Sequence, residues 1–332
     1  MLFQWHHDLV AGFDALQKPF GNPTPARGDQ APFSDAAPAH TPTLVVRTPA
    51  KLNLFLEVLG KRPDGYHELE TLMVMIGLYD DLLFAPTMHD ELSLTTELLV
   101  AASTAEPLPR PQDNLVWKAA ELLRQRTGCR QGAAIHLRKR IPLASGMAGG
   151  SSDCAATLAG LNRLWDLRLT TEDLIQLGAE LGSDVPFFFS PTPAAICRGR
   201  GEILAPLPAG PALHFVIVRP RTGLSTAAVF SRLQREGTHR PAEKLQTGWN
   251  GRNRPAVCAQ LWNRLQVPAE ALNAEISGLR QVFSRLPVLA HQMSGSGTSY
   301  FGICSSRRQA MHVASRVRGL NCGQVFVADC RA

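Results

Sequence analysis

Three absences narrow the class of this sequence before any motif is read. No two of its seven cysteines form a C-x-x-C pair, and their number is odd. That argues against a disulfide framework or a zinc site and for a reducing, cytoplasmic setting. No apolar run approaches the roughly 18–20 residues that cross a bilayer, so no membrane segment is expected. Nor does any stripe of basic residues interleave with aromatics. The net charge of +6 is mild; the clusters Arg138-Lys139-Arg140 and the Arg-rich stretch 232–254 stand apart. A dedicated nucleic-acid binder shows a stronger footprint, whereas a mildly basic surface suits anionic small molecules.

What is present is ordinary for a globular protein: 332 residues, 45% hydrophobic and 19% charged, enough for two domains with full cores. Residues 1–42 differ, with six prolines from Pro19 to Pro42 among Ala, Ser, Thr and Gly, and read as a disordered extension. From Thr43, "TLVVRTPAKLNLFLEVLG" predicts two strand-like runs around Pro49, and "LETLMVMIGLYDDLLFAP" another strand pair. "DNLVWKAAELLRQRTG" predicts a capped helix and "AAIHLRKRI" a strand ending at Ile141. Further helices are expected over 151–165, from Thr171 to Leu181, in "LSTAAVFSRLQRE", and near 256–265 and 272–286. Strands and helices mix without regular βαβ alternation, which favours an α+β class.

The stretch "IPLASGMAGGSSDCAATLAGL", 141–161, places Gly146, Gly149, Gly150, Ser151 and Ser152 between a strand and a helix. The unpaired N–H groups and positive dipole end of that helix point into the loop. Glycines let the backbone curl around an anion, and Ser151 and Ser152 suit both the N-cap and a hydroxyl ligand for Mg²⁺. Neither a Walker lysine nor G-x-G-x-x-G spacing is present. A phosphate cradle and tight helix–strand packing both remain open from these residues alone. Cys154 is open between an activated thiol and a small buried side chain.

Four stretches in this order, "PAKLNLFLEVLGKRPDGYHELETLM" (49–73), "PLASGMAGGSSDCAATLAGLN" (142–162), "LGSDVPFF" (181–188) and "MSGSGTSYFG" (293–302), resemble the GHMP kinase superfamily over about residues 43–332. "AKLNLFL" followed by "DGYH" resembles the branch that acts on a cytidine diphosphate ester of a methyl-tetrol. The resemblance implies a two-domain α+β kinase, with a nucleotide-binding domain over 43–205, a second domain over 206–332, and the active site in the cleft between them. It implies ATP as donor, over a loop of Pro142, Leu143, Ala144, Ser145, Gly146, Met147, Ala148, Gly149, Gly150, Ser151 and Ser152. Mg²⁺ would accompany the ATP. Asp184 is implied as catalytic base toward the 2-hydroxyl of the tetrol, with Lys51 orienting that hydroxyl and offsetting charge.

The resemblance further implies that Tyr66 stacks on cytosine and His67 hydrogen-bonds it, while Thr226 and Phe230 close the other side of the pocket. Asn53, two residues beyond Lys51, shares its side of the strand and could bind a hydroxyl or phosphate. Ser294, Gly295, Ser296 and Gly297 form a supporting turn. The family loop often has glycine where this chain has Ala144, Ser145 and Ala148, which such residues match only at negative φ. The expected partner is a small molecule and the expected state a monomer or weak homodimer. A homoserine- or mevalonate-type kinase is disfavoured by Asp64-Gly65-Tyr66-His67. A non-catalytic nucleotide-binding regulator is disfavoured because Lys51 and Asp184 are both retained.

Overall fold

The computed structural model describes residues 44–100, 110–233 and 238–330; the extension expected over 1–42 lies outside them. Two long strands organise the fold. β1 (Leu44–Lys61) and β2 (His67–Pro86) pair antiparallel along nearly their whole length. The two runs expected around Pro49 are therefore one strand. Its register shifts between Pro49 and Ala50, so the residue without an N–H sits at an irregularity, where a ladder bond is already interrupted. The strand pair expected over 69–86 is likewise a single strand. From Ala50 to Val58 every residue of β1 is buried, which is why this stretch reads as a continuous apolar run rather than an alternating one.

The two halves of β2 take different partners. β4 (Ala133–Lys139) pairs with Asp81–Pro86, and β5 (Ala194–Gly199) pairs with Leu69–Val74. With β3 (Leu92–Leu98) beside β4, β6 (Ile203–Pro206) beside β5 and β8 (Trp262–Asn263) beside β1, they form a seven-stranded sheet. A second sheet has the order β11 (Gln324–Cys330), β7 (Leu213–Arg219), β10 (Tyr300–Cys304), β9 (Ala290–Met293).

Helix α1 (Leu115–Thr127) starts at Asn114, whose side chain accepts from Val116 N–H, and ends at left-handed Gly128. Helices α2 (Gly149–Leu164) and α3 (Thr171–Leu181) join it on one face of the first sheet, over Leu82, Phe84 and Leu137. Gly160 lets α2 approach closely; a Cβ there would stand 2.7 Å from the Phe84 ring. The remaining helices are α4 (Thr226–Ser231), α5 (Glu243–Asn250), α6 (Arg254–Ala259), α7 (Gln266–Leu272), α8 (Ala274–Phe283) and α9 (Arg307–Gly319).

The helix expected near 256–265 ends at Ala259, because Trp262 and Asn263 extend to pair in parallel with Phe55 and Leu56 of β1. One apolar core joins both sheets: Leu52, Leu54 and Phe55 of β1 pack in the same cluster as Phe215, Ile217, Phe301 and Ala328, with Trp249 of α5. The architecture is α+β. No helix among the described residues is long and apolar enough to cross a membrane.

The run Arg138-Lys139-Arg140 is split between core and surface. Lys139 is buried, its Nζ 2.7 Å from Asp80 Oδ2 and 2.6 Å from Asp153 Oδ2. Arg138 pairs with Glu97, and Arg140 with Asp81.

Candidate active site

Lys51 lies mid-way along β1 and only 4% of its side chain is exposed. Its Nζ donates to Asn53 Oδ1 at 2.6 Å and stands 3.4 Å from Asp184 Oδ2. Period-2 spacing along the strand brings Lys51 and Asn53 to the same side. Asp184 arrives from the turn after α3 and keeps 32% of its side chain open. A buried ammonium beside a half-open carboxylate is stable only because each has partners. Asn53 is itself anchored, its amide donating to Thr71 Oγ1 and its carbonyl accepting from Gln292.

The glycine loop differs from its expected form in three respects. Helix α2 begins at Gly149, so both glycines of the Gly149-Gly150 pair belong to its first turn. Ala148 is the N-cap at φ 54°, and Ala144 has φ 43°. Both alanines therefore hold the left-handed conformation that glycine adopts freely, contrary to the negative φ expected of them. Ser152 is buried, with its hydroxyl 2.5 Å from the Pro49 carbonyl and beside Thr48 Oγ1. Ser152 is thus tied to β1 through its hydroxyl proton, on the buried side of the helix start. Ser151 is partly exposed, and Ser145 is turned inward to Pro142 O. Cys154 is buried, and burial pushes its thiol up, so it is a packed side chain rather than an activated one.

The loop crosses the second glycine turn at close range. Ser294 Oγ donates to Gly146 O at 3.1 Å, and Ser299 N–H donates to Ser145 O at 3.0 Å. A Cβ on Gly146 would stand 2.4 Å from Ser294 O, and one on Gly295 would stand 3.5 Å from Lys51 Nζ. Ser296 Oγ lies 2.8 Å from Thr226 Oγ1, at the start of α4. One turn later Phe230 stacks on His67, with ring centroids 4.6 Å apart. Tyr66 is 54% exposed and carries the Arg200 guanidinium 4.9 Å above its ring. Arg200 sits in the β5–β6 turn next to Gly201, where a Cβ would stand 3.5 Å from Asp184 Oδ1. The contacts thus close a circuit: Lys51 N–H donates to Met147 O at 3.1 Å, back at the glycine loop.

Residues that the motif reading passed over hold this circuit rigid. Asn263 donates to the carbonyls of Met293 and Gly295, both at 2.8 Å. Arg219 reaches Leu143 O. Beneath the loop, Asp80 Oδ1 accepts from the N–H groups of Arg140 and Ile141, while its other oxygen and Asp153 share the Lys139 ammonium. Two carboxylates to one cation leave the cluster short of positive charge. Burial, together with Asp80, pushes Asp153 up to about 7 against the opposing pull of Lys139. Asp153 Oδ1 is buried and has no hydrogen-bond partner. The local sequence does not single this cluster out: Asp80 is one of the Asp80-Asp81 pair, Lys139 is the middle of three basic residues, and only Asp153 stands as a lone carboxylate in an apolar helix.

Comparison with known proteins places the chain as a whole. Residues 114–191 match the model of the GHMP kinases N terminal domain, and 245–320 that of the GHMP kinases C terminal domain. The chain is similar to the 4-diphosphocytidyl-2-C-methyl-D-erythritol kinase of Bacillus velezensis, with 38% identity over 285 residues, 85% of this chain and 95% of that one. Its structure is similar to a crystal structure of 4-(cytidine 5'-diphospho)-2C-methyl-D-erythritol kinase, with TM-score 0.71 and 32% identity, covering 87% of this chain and all of that one. A homoserine kinase from Cytophaga hutchinsonii, at TM-score 0.65 and 15% identity over 91% of this chain and 98% of that one, shares the fold alone. The chain belongs to the 4-diphosphocytidyl-2-C-methyl-D-erythritol kinase family of the GHMP kinases.

Proposed function

We propose that this protein transfers the γ-phosphoryl group of ATP to the 2-hydroxyl of 4-diphosphocytidyl-2-C-methyl-D-erythritol, a step of isoprenoid precursor synthesis. The closed circuit of contacts carries this reading. In it the Lys51–Asp184 pair is joined on one side to the glycine loop, through Lys51 N–H and Met147 O, and on the other, by way of the Gly199–Gly201 turn, to the neighbourhood of Tyr66, His67 and Phe230. Residues 44–205 would supply the nucleotide site, and 206–330 the facing wall.

Phosphoryl transfer is mostly positioning and electrostatics. ATP phosphates would meet the free first-turn N–H groups of α2. The acceptor hydroxyl would sit against Asp184, which takes its proton. Lys51, oriented by Asn53, would offset the negative charge of the transferring group. Tyr66 would offer a π-face to cytosine, His67 and Thr226 polar edges, and Phe230 the wall behind His67. No group of three His, Cys, Asp or Glu able to hold a metal occurs among the described residues, and Ser152 is committed to Pro49. Mg²⁺ would enter with the nucleotide phosphates, and Ser151, partly exposed in the first turn of α2, would be the hydroxyl placed to meet it.

The test is coupled ADP release by purified protein with the cytidyl ester, homoserine and mevalonate in parallel, with and without Mg²⁺. Turnover confined to the cytidyl ester is expected. Faster turnover of homoserine or mevalonate would overturn the reading.

A further inference from the structure

The substrate reading above leaves one part of the acceptor without a partner. A cytidine diphosphate ester with its base at Tyr66 and its reacting hydroxyl at Asp184 must run its diphosphate between those two residues. The element lying there is the β5–β6 turn. Gly199 and Gly201 take φ of +72° and +119°, a backbone path favouring glycine, and present Arg200 between them. Gly201 faces Asp184, and the Arg200 side chain leans back over Tyr66.

The cations nearby differ in what they can still do. Arg62 is already hydrogen-bonded to Asp64 and Glu68. Lys51 is engaged with Asn53 and Asp184. Arg200 has an ion pair with Glu202 at 3.6 Å and an electrostatic interaction with Asp64. Its guanidinium makes no hydrogen bond among the described residues, although 27% of the side chain is exposed. Glu202 instead accepts the Arg200 backbone N–H at 2.6 Å. A five-donor planar fork with its donors unspent is the group that recognises paired phosphate oxygens.

We infer that Arg200 binds the diphosphate of the acceptor substrate, and by lying on Tyr66 holds the stacking ring and the phosphate subsite in one register. The inference rests on the cytidyl substrate reading and adds to it a determinant of affinity for diphosphate over the bare nucleoside. Glu202 and Asp64 keep the fork oriented while the site is empty, and their opposing charge limits how tightly a lone phosphate is held.

The experiment compares cytidine and cytidine diphosphate as ligands, by calorimetric titration of the full chain, in wild type, Arg200→Met and Arg200→Lys. Wild type should bind the diphosphate more tightly than the nucleoside. Arg200→Met should shrink that preference about 5- to 30-fold, the size of one or two charge-assisted hydrogen bonds at a partly exposed site. Cytidine itself should change less than about fivefold, since only a cation–π contact is lost. Arg200→Lys should restore part of the preference, because charge returns without the fork. ATP affinity should be unchanged in both variants, which separates the effect from misfolding. An unaltered diphosphate-to-nucleoside ratio in Arg200→Met would overturn the inference and leave the substrate reading intact. Failure of wild type to bind either ligand would overturn both.

Discussion

The Ser294 hydroxyl donates to the carbonyl oxygen of Gly146 at 3.1 Å, joining two glycine-rich turns that stand 148 residues apart in the chain. Gly146 is at φ +72°, and any Cβ on it would strike Ser294 O. The two turns therefore fit together only while position 146 has no side chain. Gly150 is different: a Cβ there meets nothing nearer than Leu115 Cδ1 at 3.6 Å.

These two glycines should separate folding from nucleotide binding. Gly146→Ala should cost about 2–4 kcal/mol of stability, combining a forced contact with left-handed strain. Gly150→Val should melt near wild type yet raise the Michaelis constant for ATP roughly tenfold or more, by blocking first-turn N–H groups. Thermal unfolding and steady-state kinetics decide it; equal melting temperatures for the two variants would count against the crossing described.

Asp184→Asn keeps the shape of the side chain and removes its capacity to take a proton. Turnover should fall about 10²- to 10⁴-fold, the usual worth of a general base, with ATP affinity nearly unchanged. Lys51→Met should behave similarly, because the buried ammonium is engaged with Asn53 and Asp184. Turnover within tenfold of wild type in Asp184→Asn would remove that residue from the mechanism.

The pocket around Tyr66 should report in binding rather than rate. Stacking of a base on an aromatic ring is worth about 1–3 kcal/mol. Tyr66→Ala should accordingly raise the Michaelis constant for the cytidyl ester roughly 5- to 150-fold. The maximal rate should hold, since the contact is made equally in ground and transition states. Phe230→Ala should act in the same direction by releasing His67 from its stack. An unchanged constant for Tyr66→Ala would displace the base from this pocket.

The buried cluster predicts a pH dependence of stability. Asp153 is pushed up to about 7 in the folded protein, against about 3.9 when unfolded. Between those values the folded state holds a proton that the unfolded state has lost, so this residue's contribution falls as pH rises from about 4 to 7. Above that window the cost is complete and constant. Asp153→Asn abolishes the titration while still accepting from Lys139. Its melting temperature relative to wild type should be more favourable at pH 8 than at pH 5, by on the order of 1–3 kcal/mol in stability. A difference independent of pH would show that Asp153 keeps its charge throughout.

Local chemistry made much of this protein legible from its residues. Helix α1 is bounded by Asn114, whose side chain caps it, and by Gly128, which lacks a Cβ and turns left-handed, and α3 starts at the capping box of Thr170. Lys51, Asp184 and the glycine loop could be named because motif and spacing carry them, and Thr226 and Phe230 share a helix because four residues make about one turn. Long strands were harder. A shift of register at Pro49 breaks the pattern without ending the strand, and nothing local distinguishes that from a turn.

Tertiary structure decided what depends on a partner distant in the chain. Lys139 reads as the middle of a local basic cluster until Asp80 and Asp153 are seen to enclose it. Ser152 gives no local sign that its hydroxyl is held by Pro49, 103 residues away, and Asn263 reads as part of a helix until β1 draws it into a strand. Ala144 and Ala148 hold left-handed backbone that their side chains disfavour, on either side of a loop segment bonded to Ser294 and Ser299. The sequence determined where capped helices such as α1 and α3 start and stop, through propensities that act within a few residues, and marked by motif the residues proposed to bear the chemistry. Which polar group finds which partner is a property of the folded chain, since burial makes an unpaired donor or charge costly only once remote segments have closed around it.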